Sequence, residues 1–241
     1  MIIFRGAGAD RSTPVLQAGD PGSNPAAPLQ ISPRDITARI IPPAVARTLF
    51  ERHHYLHSMP GGTPLCFGAF VGEVLLGALS LGVGPRNAHR LIDGATADDG
   101  LTLTRLWLDD RLPKNSESRF LGLVFRALRR HTSVKFVVTY ADPAVDHVGY
   151  IYQATNWLYT GLSQAHPLLD LGDGVPRHTR SVGSALGTYS ARYLRREGLR
   201  VRTIPRPPKH RYIFFLDPAW RSRLRVPMLP YPKRGDDDGD R

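Results

Sequence analysis

The chain has 241 residues, 41% hydrophobic and 22% charged, enough for one generous folded domain with flexible ends. Its single cysteine, Cys66, excludes an intrachain disulfide and a cysteine-cluster zinc site. Lys and Arg number 32 against 21 Asp and Glu, a formal net charge of +11, and no apolar run approaches the roughly eighteen residues of a membrane span. The opening MIIFRGAGADRSTP lacks a secretory-signal pattern, so a soluble protein of a reducing compartment is expected.

Residues 1–33 are rich in Gly, Pro, Ala and Ser without a hydrophobic period and read as a disordered or extended arm. ITARII (36–41) is a short strand, and Pro42-Pro43 suits the first turn of a helix over AVARTLFERHH. LCFGAFV (65–71) and VLLGALSLGV (74–83) form a hairpin through Gly72-Glu73, and LTLTRLWL (101–108) is a further strand. In 119–131, Phe120, Val124 and Leu128, with Leu121 and Phe125 beside them, make a helical stripe. KFVVTYA (135–141) is a buried strand, HVGYIYQATN a second helix, WLYTGLS a strand, and RYIFFL (211–216) the last strand. Between 164 and 209 the pattern is ambiguous, with one helix expected in SALGTYSARYLRREG, closed by Gly198. Residues 226–241 read as a flexible tail. The folded unit is expected over 34–220 as a single α/β domain, a mixed sheet with flanking helices. This element order resembles the GNAT acyltransferase fold.

The charge is concentrated. Residues 177–225 carry thirteen basic side chains and two acidic ones, a net +11 equal to that of the whole chain. Only four basic residues in the chain are lysine, which a GC-rich genome explains, but codon bias does not explain clustering. A polyanion is the expected partner, most naturally nucleic acid, with Arg192, Arg195, Arg196, Arg200 and Arg202 as contacts.

Three constellations carry chemistry. Arg52-His53-His54-Tyr55-Leu56-His57 is a dense ionisable cluster, able to supply a base or a metal ligand, or simply to end a helix in solvent. Asp142 closes an apolar strand and precedes Tyr152 by ten positions. A strand-ending Asp is either a turn former or a cleft residue, and a phenol with its ordinary pKa near 10 is protonated at neutral pH and can donate a proton. Arg105 lies in an otherwise apolar strand, where an unpaired charge is expensive, so it is expected to clamp an acid such as Asp142 or a substrate anion. The third is the start of the 119–131 helix, with Asn115, Ser116 and Ser118 as caps or phosphate ligands.

HHY, LTLTRLWL, PKNSESR, YADP with HVGYIYQATN, and KHRYIFFL occur in the order and approximate spacing of the bacteriophage Mom proteins, which this chain resembles over about 45–216. Those are GNAT-like enzymes that hypermodify adenine in phage DNA against host restriction. The resemblance implies transfer of an acetamido (carbamoylmethyl) group to the exocyclic amine of adenine in double-stranded DNA, within the cytoplasm of a bacterial host. It implies acetyl-CoA or a related acyl donor, held by an Arg/Gln-x-x-Gly-x-Gly/Ala loop. Here Arg119 and Gly122 keep that pattern, Ser116 and Ser118 flank it, and Val124 departs from it. Iron has been proposed for the family, and His54 with Asp142 is the most plausible pair of ligands. Carried over by motif, Asp142, Tyr55, His54, Tyr152 and Arg105 are the catalytic candidates, with Asp142 as proton acceptor from a poorly nucleophilic amine. The base must leave the duplex, and Trp157 or Tyr159 is expected to help hold it. Two other readings remain: a GNAT N-acetyltransferase for a protein amine or small molecule, and a non-catalytic DNA-binding protein. The sequence leaves the oligomeric state open.

Overall fold

A computed structural model describes residues 31–62, 65–85 and 87–233. The expected N-terminal arm up to residue 30 and the tail from 234 lie outside the described residues. The architecture is a mixed α/β one, with a seven-stranded sheet, flanking helices and a separate small sheet.

Strand β1 (Ile36–Ile40) is followed by helix α1 (Pro43–His53), with Pro43 at the first helical position as expected. Ala46 and Phe50, one turn apart, are its buried face and pack with Ile41, Met59, Cys66 and Ala78. Burial among these side chains pushes the Cys66 thiol up to about 11. Strands β2 (Leu65–Val71) and β3 (Val74–Gly82) form the expected hairpin, and β4 (Gly100–Leu108) pairs antiparallel with β3.

Helix α2 (Ser116–His131) starts three residues earlier than the hydrophobic stripe indicated, because Asn115 takes a left-handed turn (φ 73°) and breaks the chain direction there. Phe120, Leu121, Val124, Phe125 and Leu128 are its buried stripe, and Arg129, Arg130 and His131 suit the negative end of its dipole. Strand β5 (Phe136–Ala141) follows.

Helix α3 (Tyr150–Ala154) is much shorter than the expected HVGYIYQATN helix, since Gly149 before it and Asn156 after it are both left-handed. Strand β6 is Leu158–Leu162. The ambiguous stretch holds β7 (Leu168–Asp170), β8 (Pro176–His178), α4 (Thr179–Leu186), α5 (Ala191–Arg196) and β9 (Arg202–Ile204). The single helix expected there is thus two, separated at Gly187 (φ 72°) and restarted by Ser190, whose hydroxyl accepts from the Tyr193 N–H. Strand β10 (His210–Phe215) ends the main sheet.

The strand order is β1-β2-β3-β4-β5-β10-β6 in the large sheet and β8-β7-β9 in the small one. The described residues fall into two compact units, one up to Val138 with Phe214–Arg225, the other Thr139–Ile213 with the residues from Val226 on. In the second unit Leu169, Val182, Leu194 and Val201 give the small sheet and its two helices a core of their own. Residues 226–233, expected in a flexible tail, are instead held within that unit. The Leu229 N–H donates to Tyr159 O, Tyr231 Oη to Trp157 O, and Gln153 Nε2 to Pro232 O.

Gly149 combines φ +83° with a close approach: a Cβ there would lie 2.6 Å from Cε2 of Tyr212. Gly149→Ala is therefore expected to lower unfolding free energy by about 3 kcal/mol, through left-handed strain plus overpacking. A denaturant titration against the parent chain checks this, and an unchanged midpoint contradicts it.

Candidate active site

In the first unit, the end of α1 delivers His54 and Tyr55. His54 closes the helix through its own N–H to Phe50 O (3.1 Å), and its ring meets Phe50 edge-on and stacks on Tyr55 at 4.4 Å. His54 is buried and Tyr55 is 41% exposed, so the tyrosine shields the imidazole. The Leu56 N–H donates to His54 Nδ1 (3.1 Å), which assigns the proton of the neutral ring to Nε2. His54 therefore presents a donor at Nε2. Beside it His53 stacks on Trp107 at 4.5 Å, and the His57 ring bonds through Nδ1 to Glu51 O.

Arg105 on β4 belongs to the same cluster. Its Nε donates to Ser58 O (2.9 Å), Nη1 to Thr104 O (2.7 Å) and Nη2 to Ser58 Oγ (3.4 Å). Burial pulls its pKa below the usual arginine value, with the Tyr55 phenol opposing. Among the described residues it makes no ion pair. Its charge is held by neutral acceptors next to Tyr55, the arrangement that suits an incoming anion. Within its own unit Arg105 is held by neutral carbonyl and hydroxyl oxygens, whereas Asp142 is held by cations of its own.

Those cations lie in the second unit. Asp142 is fully buried and ion-paired to Arg206 and, at 2.8 Å, to Lys209 Nζ. Its Oδ1 also accepts from the Ala144 N–H (3.1 Å), so the turn-forming and charge-bearing readings of Asp142 both hold. Burial pushes the carboxyl up, but Lys209, Arg206 and the Ala144 amide outweigh it and hold the group below the usual carboxylate range. Both cations sit in the counted basic segment, yet no sequence signal paired them with Asp142, because 64 residues separate Arg206 from it.

Tyr152 is part of an aromatic set in the same unit, with ring centroids 5.1 Å from Trp157 and 5.4 Å from Tyr212. Trp157 and Tyr212 are wholly buried. Trp157 is thus a core residue, and its expected role of holding an extruded base does not fit this position. Tyr159 is buried as well, with its hydroxyl bonded to His210 Nδ1 at 3.0 Å. The Tyr212 hydroxyl donates to Val148 O and accepts from Gln153 Nε2, and burial pushes its pKa up to about 12. Tyr212 carries no signal in the sequence as a site residue, and with Gln153 it anchors the α3 segment that carries Tyr152.

At the donor-binding candidate, the structure places Arg119–Val124 inside α2 rather than in a loop, with Phe120, Leu121 and Val124 in the core. The Ser116 hydroxyl donates to Pro113 O (2.6 Å), and Ser118 is half-buried. The amides of Glu117 and Ser118 belong to the first turn, where no intrahelical acceptor exists. Arg119 Nε is buried without a hydrogen-bond partner among the described residues. An anion at this helix start would satisfy both, so the residues present fit a phosphate-bearing donor, one turn before Gly122. A Cβ on Gly122 would meet nothing nearer than Arg126 Nη1 at 3.9 Å.

Iron fits poorly. Two cations and an N–H already surround the Asp142 carboxylate, and an N–H occupies His54 Nδ1. A hard cation would have to displace positive charge to reach Asp142. Among the described residues no group of three or more His, Cys, Asp or Glu is placed to hold a metal.

The basic candidates are on the small sheet and its helices. Arg192, Arg195, Arg196 and Arg200 are exposed. Arg195 Nε donates to Val201 O and Arg202 pairs with Asp170 at 3.2 Å. Among the described residues no helix is long and apolar enough to cross a membrane.

The model of the Mom protein family matches residues 35–233. The chain is also 31% identical to the methylcarbamoylase Mom of Escherichia phage Mu over 196 residues, 78% of this chain and 80% of that protein. It belongs to the Mom family. Among solved structures, an N-acyl amino acid synthase (FeeM) from uncultured soil microbes aligns at 16% identity and TM-score 0.44, covering 78% of this chain and 94% of the other. Arabidopsis thaliana NAA60 with a bisubstrate analogue aligns at 13% identity and TM-score 0.42, covering 75% and 97%.

Proposed function

We propose that this Mom-family chain is a phage-type DNA modification transferase that places an acetamido (carbamoylmethyl) group on the exocyclic amine of adenine in double-stranded DNA, protecting it from restriction in the bacterial host cytoplasm. The observation that carries this reading is the identity to the phage Mu methylcarbamoylase across most of both chains. The basic segment supports a DNA partner. The start of α2 supports an acyl-CoA-type donor.

An acyl-CoA donor supplies an activated carbonyl carbon and a thiolate leaving group. The Glu117 and Ser118 amides and Arg119 would hold its phosphates. Attack of the adenine amine on that carbonyl would break its C–S bond and give an N-acyl adenine. A carbamoylmethyl group is instead joined to the nitrogen through its CH2, so that product requires a donor whose methylene carbon carries the leaving group. Arg105 presents positive charge beside Tyr55 and orients an anionic substrate group. His54 offers a hydrogen bond from Nε2, and Tyr152 offers a proton from its phenol for a leaving group. Asp142 stays ionised and keeps Arg206 and Lys209 in place; with its basicity lowered, it takes the amine proton only as the C–N bond forms and that amine becomes acidic.

Arg119→Ala is expected to weaken binding of acetyl-CoA about tenfold, with an unaltered melting temperature, because its Nε has no partner in the fold to lose. Calorimetry checks it, and equal affinities would remove the donor from this helix start. The function itself is tested by expressing the chain in bacteria and examining the nucleosides of their DNA for a heavier deoxyadenosine.

A further inference from the structure

Two large aromatic side chains stand out of the small-sheet region. Tyr189, in the connection between α4 and α5, is 66% exposed, and Tyr193 on α5 is 45% exposed. Tyr189 lies against the α4 backbone, where a Cβ on Gly183 would come within 3.3 Å of its ring. Tyr193 is covered on one side by the Arg196 guanidinium, 5.3 Å from the ring centroid. Rings fixed in this way but left open to solvent lose little freedom when a flat partner arrives.

Their surroundings are strongly positive. Arg192, Arg195 and Arg196 share α5 with Tyr193, and Glu197 is the one acid that follows directly. Arg195, Arg200 and Arg202 line an open cavity of about 410 Å³ together with Asp170. That carboxylate is already satisfied: Oδ1 accepts from the Gly172 and Gly174 amides and Oδ2 pairs with Arg202. The cavity therefore keeps a surplus of positive charge. Cationic side chains interleaved with exposed aromatic faces match the chemistry of unpaired nucleic acid, whose bases stack while its phosphates are neutralised.

We infer that the α4–α5 segment is a platform for unpaired DNA bases, with Tyr189 and Tyr193 as stacking faces and the Arg195, Arg200 and Arg202 cavity as the seat of a strand phosphate. The inference rests on the DNA-modification reading and extends it: an adenine amine inside a duplex is reached only after the base leaves the stack, and an opened site needs a holder. Tyr189 and Tyr193 take the holding role that Trp157, buried in the core, does not fit.

The test uses the whole chain and three labelled oligonucleotides of one sequence: single-stranded, fully paired, and paired with a central unpaired bubble. Fluorescence anisotropy should show the parent binding the bubble more tightly than the paired duplex at equal salt. The variant Y189A/Y193A should lose about tenfold or more on the bubble and single strand. It should lose less than about twofold on the duplex and keep the same salt slope, since no charge is removed. Y189F/Y193F, which preserves the rings, should bind as the parent does. Parent-like bubble affinity in Y189A/Y193A, or an equal loss in Y189F/Y193F, overturns the platform and leaves the DNA reading standing. A parent that binds none of the three overturns both.

Discussion

Asp142→Asn is expected to reduce modified adenine by at least about 100-fold. The substitution keeps size and shape but removes the one negative charge that Arg206 and Lys209 share. On the proposed mechanism the group that accepts the amine proton is lost. From the geometry, both cations are left without their counter-charge, so Lys209 and Arg206 move. The fold also loses about 2 kcal/mol; full burial of both partners would cost more, but the Arg206 and Lys209 side chains are 23% and 33% exposed. Its pH dependence has a fixed sign. The folded pKa of Asp142 lies below that of an unfolded carboxyl, near 4, so its contribution is complete above that pH and disappears as pH falls through the lower folded value. Thermal melts of parent and variant should therefore converge in acid and separate at neutral pH. Normal modification by Asp142→Asn, with or without a stability loss, would remove Asp142 from the chemistry.

Reversing Arg192, Arg196 and Arg200 to Glu should weaken DNA binding broadly across sequences. If roughly six basic side chains meet phosphates, log affinity falls with log salt at a slope of about −5, and loss of three contacts reduces it to about −3 or less. These three are exposed, whereas Arg195 spends Nε on the Val201 carbonyl and is best left in place. The variant should keep its melting temperature. Unchanged affinity and slope, measured by anisotropy over a salt series, would assign the cluster to arginine-rich codon usage.

The large sheet was legible because its strands and helices are long enough to show their periods. The α2 stripe of Phe120, Val124 and Leu128 and the β2–β3 hairpin at Gly72-Glu73 are examples. The small sheet was not, because β7, β8 and β9 are three residues each and a period of two needs more to be seen. Helix ends depended on left-handed residues such as Asn115 and Asn156, whose conformation no propensity fixes. The same division holds for the site. Asp142 and Arg105 stood out as charges in apolar strands, but which partners neutralise them is a matter of long-range placement. Arg206 and Lys209 for the first, and Ser58 for the second, carry no local signal. Trp157 shows the reverse error: an aromatic near the motif looked like a base holder and is part of the core.

Mass spectrometry of nucleosides, from DNA of bacteria expressing the parent chain and Asp142→Asn, tests the central claim most directly. The account predicts a deoxyadenosine heavier by one carbamoylmethyl group in the first culture and at least about 100-fold less of it in the second. Deoxyadenosine of ordinary mass in both cultures, with the protein present and folded, would contradict it; an adduct heavier by only an acetyl group would make the chain an N-acetyltransferase of DNA instead.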